Sequence, residues 1–380
     1  MTLRAYSFVL VLALALAGSP LPSEATTSAA PAALASTAFT RANDQTRTLL
    51  KTRMAEQHIP ALQVAIIVHG RVVMSEAYGV ADIEQHIAAS RQTLFPINSA
   101  TKSFTGVAIM QLVEAGKVDL EAPISRYLCD LPEKWRAIRI RQLLAHSSGL
   151  PDIVDEKGLI GGGTDAEAWA KVQTLPMNGA TGAAFAYNQT NYVLLGRVIE
   201  KVSGRSFQRF LSDGQFTPAA MKHPRFGDGH DIVPGRADVY IRGYEGRSAD
   251  PADKDALYHW IDEIPVSTRA GAGLYTTADD LAGWIIALQS GRLLSKPASI
   301  ERMWQPDILN DGKPNSWAMG WPILAGTRRR AVGGIGGGRS TFFIYPDEGI
   351  AVIVMTNLVG ANPQNLIDTI AGHYIPNASR

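Results

Sequence analysis

The chain has 380 residues, a formal net charge of +1, 46% hydrophobic and 19% charged residues, which suits one large globular domain or two intimate ones. Near-zero charge, with no run of like charges, argues against a nucleic-acid surface. One cysteine, Cys129, leaves no internal disulfide; it reads as a small hydrophobe near a helix end.

The N-terminus carries Arg4, an apolar run from Ala5 to Ala17, and small-residue cleavage sites ending at Ala17 or Ala25. This pattern predicts a secretory signal peptide over 1–25 and a periplasmic or secreted protein. The apolar run is short for a bilayer span, so no stable membrane insertion is expected after cleavage. Residues 26–39 are rich in Ala, Ser, Thr and Pro and predict a flexible leader. The functional domain is placed at 40–376.

A helix is expected over Thr40 to Glu56. "ALQVAIIVHGRVVMSEAYGVAD" (61–82) reads as two strands joined in a hairpin at His69-Gly70. "NSATKSFTGVAIMQLVEAGKVDL" (98–120) switches to helical period, with Phe104, Val107, Ile109, Met110, Leu112 and Val113 on a broad apolar face and Gly116 as its end. Residues 140–210 look mainly helical with loops, and 212–265 irregular. Thr277 and Asp280 form a candidate capping box for a helix ending near Gly291. "STFFIYPDEGIAVIVMTNL" (340–358) gives two strands, and a last helix runs from about Pro363 to Tyr374. Strands at both ends of the chain predict an α+β fold, with one antiparallel sheet from N- and C-terminal strands, flanked by helices, and an inserted mainly helical region.

Eight scattered histidines, without His-Glu-x-x-His or a Cys/His cluster, argue against zinc. The glycine-rich stretch 333–338 fails the dinucleotide pattern, because Arg339 takes the last glycine position, and it leads into a strand. It is too β-rich and apolar on both sides for a linker. Glycines in a strand point instead to close approach of a backbone or ligand. In "PINSATKSF" (96–104), Ser99 and Lys102 are three apart at a helix start, which puts both on one face. An alcohol nucleophile needs such a nearby base, and a helix N-terminus offers N–H groups to an oxyanion. Alone, the pair is expected by chance. It is accompanied by "LLAHSSGLP" (143–151), by "FAYNQTNYVLLG" (185–196) with Tyr187, and by the glycine strand.

With these motifs in this order, the chain resembles the serine hydrolases of the class C β-lactamase, penicillin-binding protein and esterase superfamily, from about residue 40 to 376. The resemblance implies a β-lactamase/transpeptidase-like fold. It implies Ser99 as acylated nucleophile, Lys102 as its partner and Tyr187 as proton carrier. It implies an oxyanion hole formed by the Ser99 and Gly337 N–H groups, and a substrate site lined by Gln189, Gly334, Ile335 and Gly336. His146 is expected to fix a loop rather than act as a base. No metal and no cofactor are implied; the partner is a small ester, amide or peptide substrate, and the oligomeric state is open.

Two positions depart from the family. Gln189 replaces its asparagine, and Gly334 stands where Lys or His usually binds a substrate carboxylate. Arg339 could replace that charge but is expected to be solvated at the strand edge. An esterase-like hydrolase, or one acting on a small amide or peptide, is the favoured reading. A β-lactamase or D,D-peptidase, and a non-catalytic binding module, are the alternatives.

Overall fold

The computed structural model describes residues 39–156, 158–243, 255–324 and 329–375. The signal-peptide reading at 1–25 and the leader, apart from Phe39, lie outside the described residues. Among those described, no helix is long and apolar enough to cross a membrane.

Helix α1 (Thr40–Glu56) buries Ala42, Thr46 and Leu50, one stripe at four-residue spacing. The hairpin follows as β1 (Ala61–Val68) and β2 (Arg71–Asp82), in antiparallel register from Ala61↔Gly79 to Val68↔Arg71. β1 is buried at every position, as its continuous apolar run requires of a strand covered on both faces. After the short β3 (Ile87–Ala88) and β4 (Phe95–Pro96) comes α2 (Thr101–Glu114).

The inserted region contains α3 (Ile140–Leu144), β5 (Val154–Asp155), β6 (Gly158–Leu159), α4 (Asp165–Thr174), α5 (Thr190–Ser203) and α6 (Phe207–Leu211). The strands β7 (Arg225–Phe226), β8 (Tyr240–Arg242), β9 (Leu257–His259) and β10 (Leu274–Thr276) are brief, as the Gly/Pro/Asp-rich sequence suggests. Then come α7 (Ala278–Gln289), α8 (Pro297–Trp304), β11 (Val332–Gly336), β12 (Ser340–Tyr345), β13 (Ile350–Thr356) and α9 (Ile367–Tyr374). The last helix starts later than expected, because Pro363–Leu366 forms a separate 3-10 turn.

The six-stranded sheet runs β11-β12-β13-β1-β2-β3, and all its pairings are antiparallel. N- and C-terminal strands meet at β1–β13 (Leu62↔Thr356 to Val68↔Ile350), the predicted α+β arrangement. Alternation sends Leu62, Val64 and Ile66 to one face, packed with Leu50 of α1 and Ile367 and Ile370 of α9. Ala65 and Ile67 face the larger core with Phe104, Trp284 and Phe342. Phe104 and Trp284 stack with centroids 4.0 Å apart.

Two local expectations change. Thr277 Oγ1 accepts the Asp280 N–H at 3.0 Å, but the Asp280 carboxylate accepts the Lys222 and His223 N–H groups at 2.9 and 2.8 Å. Only half of the capping box forms, and the freed carboxylate ties α7 to the loop before β7. Cys129 is exposed and packs no core.

β11 lies directly on the turn that precedes α2. A Cβ at Gly336 would fall inside the van der Waals shell of the Ile97 carbonyl and 3.1 Å from the Ala100 N. Because backbone cannot yield as a side chain does, Gly336→Ala is expected to destabilise the fold by at least about 2 kcal/mol, measured by urea unfolding.

Candidate active site

Ser99 sits in the 3-10 turn Asn98–Ala100, which runs into α2. Asn98 holds a left-handed backbone (φ 41°), a strained choice of the kind found at functional turns. One helical turn on, Lys102 is fully buried. Its Nζ donates to Gln189 Oε1 and to the Gly271 carbonyl, each at 2.9 Å, and lies 3.3 Å from Ser99 Oγ. Two fixed acceptors engage two hydrogens, so the third tetrahedral position of Nζ faces Ser99. Gln189 thus reaches the lysine despite its extra methylene.

Tyr187 approaches from the loop before α5, and its Oη is 2.7 Å from Ser99 Oγ. Lys102 Nζ lies 4.8 and 5.0 Å from the ring centroids of Tyr187 and Tyr192.

The 146–152 segment holds this loop. Asn188 Nδ2 donates to the Leu150 carbonyl at 3.0 Å, and Thr190 Oγ1 donates to that of Pro151 at 2.7 Å. Ser148 Oγ donates to Asn191 Oδ1 at 2.6 Å, and Asp152 Oδ1 accepts the Gln189 N–H at 2.8 Å. Burial pushes the Asp152 carboxyl up, while its backbone donors oppose the shift.

His146 is fully buried. Its Nδ1 accepts from the Asn188 N–H (3.3 Å) and from Asn191 Nδ2 (3.1 Å), which assigns the proton to Nε2. Its ring packs on Tyr187 with centroids 4.4 Å apart. The residue is therefore a support beneath the tyrosine, as expected from the sequence. Burial, and then the Lys102 charge, hold its pKa well below the ordinary 6.5.

That depression has a consequence for stability. Below about pH 6.5 the unfolded chain takes up a proton that the folded one refuses. This contribution to stability is full above that pH and is lost as pH falls. Thermal midpoints should drop between about pH 7 and about pH 5, and drop less steeply in His146→Gln. Melts across a buffer series measure both slopes.

On the opposite side, Gly337 (φ 57°) opens the turn after β11. Neither its N–H nor that of Ser99 is engaged by another group among the described residues. Gly336 supplies the close approach that brings this turn to Ser99. Gly334 and Ile335 are placed otherwise than expected. A side chain at Gly334 would start 2.5 Å from Phe342 Cε1 and 3.0 Å from Ala100 Cβ, so it would point into the core rather than toward a substrate. Ile335 is half-buried against the α1/α9 face.

Arg339 also differs. It is not solvated but 1% exposed, with its guanidinium paired to the Asp262 carboxylate. Only a contact partner 77 residues away removes it from the surface, and periodicity carries no such information.

Sequence reasoning missed Gly271, Asp152, Asp262, Phe185 and Trp317. Phe185 and Trp317 stack at 5.8 Å, and Trp317 also meets Tyr187 at 5.7 Å, an aromatic wall beside the tyrosine. The Phe185-x-Tyr187 spacing was the one available signal. A possible cation cluster among the described residues, Asp82, Glu84 and Asp238, has ligand atoms within 4.8 Å of one another. None of the three is among the groups gathered at Ser99.

The family model described as Beta-lactamase matches residues 46–374. Protein flp of Staphylococcus aureus (strain MW2) is 26% identical over 334 residues, covering 83% of this chain and 63% of that protein. The chain thus spans under two thirds of that relative's length. The octameric penicillin-binding protein homologue from Pyrococcus abyssi superposes with TM-score 0.70 at 26% identity, covering 87% of this chain and 76% of that one. EstCE1, a hydrolase with promiscuous acyltransferase activity, superposes with TM-score 0.73 at 20% identity, covering 89% and 100%; at that identity the likeness concerns the fold. Matched by the family model over nearly all of its described residues, the chain belongs to the beta-lactamase family.

Proposed function

We propose that the protein is an exported serine hydrolase that works through a Ser99 acyl-enzyme on esters or on small amides and peptides. The observation that carries the proposal is Ser99 Oγ held between Tyr187 Oη at 2.7 Å and Lys102 Nζ at 3.3 Å. Free N–H groups at Ser99 and Gly337 support it.

In this reading the Lys102–Tyr187 pair takes the proton as Ser99 Oγ bonds to the substrate carbonyl carbon. The carbonyl electrons move to oxygen, and the two N–H groups hold that oxyanion. Such donors are each worth about 10²- to 10³-fold in rate. Collapse expels the alcohol or amine, which leaves with a proton from Tyr187. Water then attacks the acyl carbon and gives a proton to the same pair; the bond from that carbon to Ser99 Oγ breaks, the pair returns the proton to Oγ, and the acid is freed. Gln189 and the Gly271 carbonyl orient Lys102 throughout.

A side chain at Gly334 would enter the core, so this position offers no cation to a substrate carboxylate, and substrates without one are favoured. The Phe342 ring occupies the space, and Arg339 is committed to Asp262. β-Lactam or D,D-peptide turnover is the second reading, favoured by the likeness to a penicillin-binding protein homologue. Short-chain nitrophenyl esters, D-amino acid amides and a chromogenic cephalosporin, each tested with wild type and Ser99→Ala, separate the two. The first predicts Ser99-dependent ester turnover well above that of the cephalosporin. The reverse order supports the second. N-terminal sequencing of the exported protein tests cleavage after Ala17 or Ala25.

A further inference from the structure

The turn that carries the proposed oxyanion donor has an unusual backing. Gly337 and Gly338 both hold left-handed backbones (φ 57° and 62°), as type I′ turns require, and the Arg339 N–H closes the turn on the Gly336 carbonyl at 3.1 Å. The Arg339 side chain then folds back over it. Its Cζ lies 3.1 Å from the point where a Gly337 Cβ would stand, and Asn98 Nδ2 lies 2.9 Å from the same point. The guanidinium and the side chain next to Ser99 thus both stand against Gly337, at the place a Cβ would take.

The guanidinium is itself pinned. Its Nη2 donates to the Asp262 carboxylate, whose other oxygen accepts from Trp260 Nε1 at 2.9 Å. The Asp262 carbonyl accepts the Gly229 N–H at 2.7 Å. The Arg339 carbonyl accepts from the N–H and Oγ1 of Thr356, at 2.8 and 3.1 Å. Burial lowers the Arg339 pKa while Asp262 opposes the shift. A buried ion pair is poor value as a stabiliser, since apolar residues of similar volume often serve as well or better. With 1% exposure, Arg339 is not a substrate contact either. What it touches is the oxyanion turn.

We infer that Arg339 is a positioning residue of the proposed reaction. Pinned by Asp262, its planar fork backs Gly337 and fixes the direction of the N–H that receives the oxyanion. This rests on the Ser99 acyl-enzyme reading.

The test compares Arg339→Met, Arg339→Lys and the double variant Arg339→Met/Asp262→Leu with wild type on a short-chain nitrophenyl ester. Rates are normalised to sites labelled to completion by a fluorophosphonate, and thermal midpoints are recorded alongside. Arg339→Met should lower kcat about 10²-fold, as loss of an aligned oxyanion donor does, with KM within about threefold. Arg339→Lys should recover part of the loss, since it restores the charge without the planar fork. The double variant should regain thermal stability, because no buried charge is left unpaired, but not kcat. Wild-type kcat per labelled site in the double variant would overturn the inference and leave Arg339 a structural strut. If Arg339→Met does not fold, Asp262→Asn decides in its place: kcat falls at constant KM, or the inference fails. Absence of Ser99 labelling in wild type overturns the acyl-enzyme reading instead, whatever the Arg339 variants do.

Discussion

Ser99→Ala should lower kcat/KM for nitrophenyl ester hydrolysis by about 10⁴-fold or more while leaving the fold intact. The size follows from how catalytic groups act as a unit: once the nucleophile is gone, base and proton carrier have nothing to activate. Only the oxyanion donors and substrate binding would still contribute. The fold should survive because Ser99 is half-buried and the contacts of its Oγ are to Lys102 and Tyr187, not to the core. The Ser99 N–H and its backbone path are unchanged by the substitution. Hydrolysis by Ser99→Ala at the wild-type rate, with matched circular dichroism, would remove the basis of the proposed mechanism.

Lys102→Met should be nearly as damaging, with kcat down about 10²- to 10⁴-fold. Methionine matches the length of the lysine stem and suits a fully buried position, so volume is conserved. What disappears is the group that faces Ser99 Oγ. The cost to stability has two opposed parts. The Gln189 Oε1 and the Gly271 carbonyl lose their donor, at about 1–3 kcal/mol for each buried acceptor left unsatisfied. Against this, a buried charge no longer needs compensation. Net destabilisation should therefore be modest, and the rate loss should exceed anything that partial unfolding explains. Denaturation midpoints measured beside kcat separate the two effects. Equal fractional losses of activity and of folded protein would mean that Lys102 is only a strut.

Much of this was legible in the sequence, for identifiable reasons. The hairpin at 61–82, α2 and the α7 region carry strong local patterns, and local patterns are what periodicity reads. The pairing of β1 with β13 followed from having strands left over at each end. Ser99 and Lys102 share a helix face by their spacing, but the pair stood out only in the company of the later motifs, and its role, like that of Tyr187, was what the family resemblance implied.

What escaped depends on contacts between distant segments. The Gly271 carbonyl meets Lys102 across 169 residues, and a backbone acceptor has no residue type to announce it. Arg339 was read as solvated because arginine usually is; its carboxylate partner, Asp262, comes from a segment 77 residues away. Gly334 was read from a missing side chain, yet the ring that fills the gap comes from the paired residue on β12, Phe342. Asp280 was assigned to a capping box that its carboxylate forsakes for a neighbouring loop. In each case the local rule held, and a tertiary partner redirected the side chain.

The central claim is that Ser99 becomes covalently acylated. Treating the protein with a fluorophosphonate, which mimics the tetrahedral intermediate, and mapping the adduct by peptide mass spectrometry tests this directly. One adduct on the peptide containing Ser99, absent in Ser99→Ala, is the expected result. Ester hydrolysis with no adduct at Ser99, or with the adduct on another residue, would contradict it.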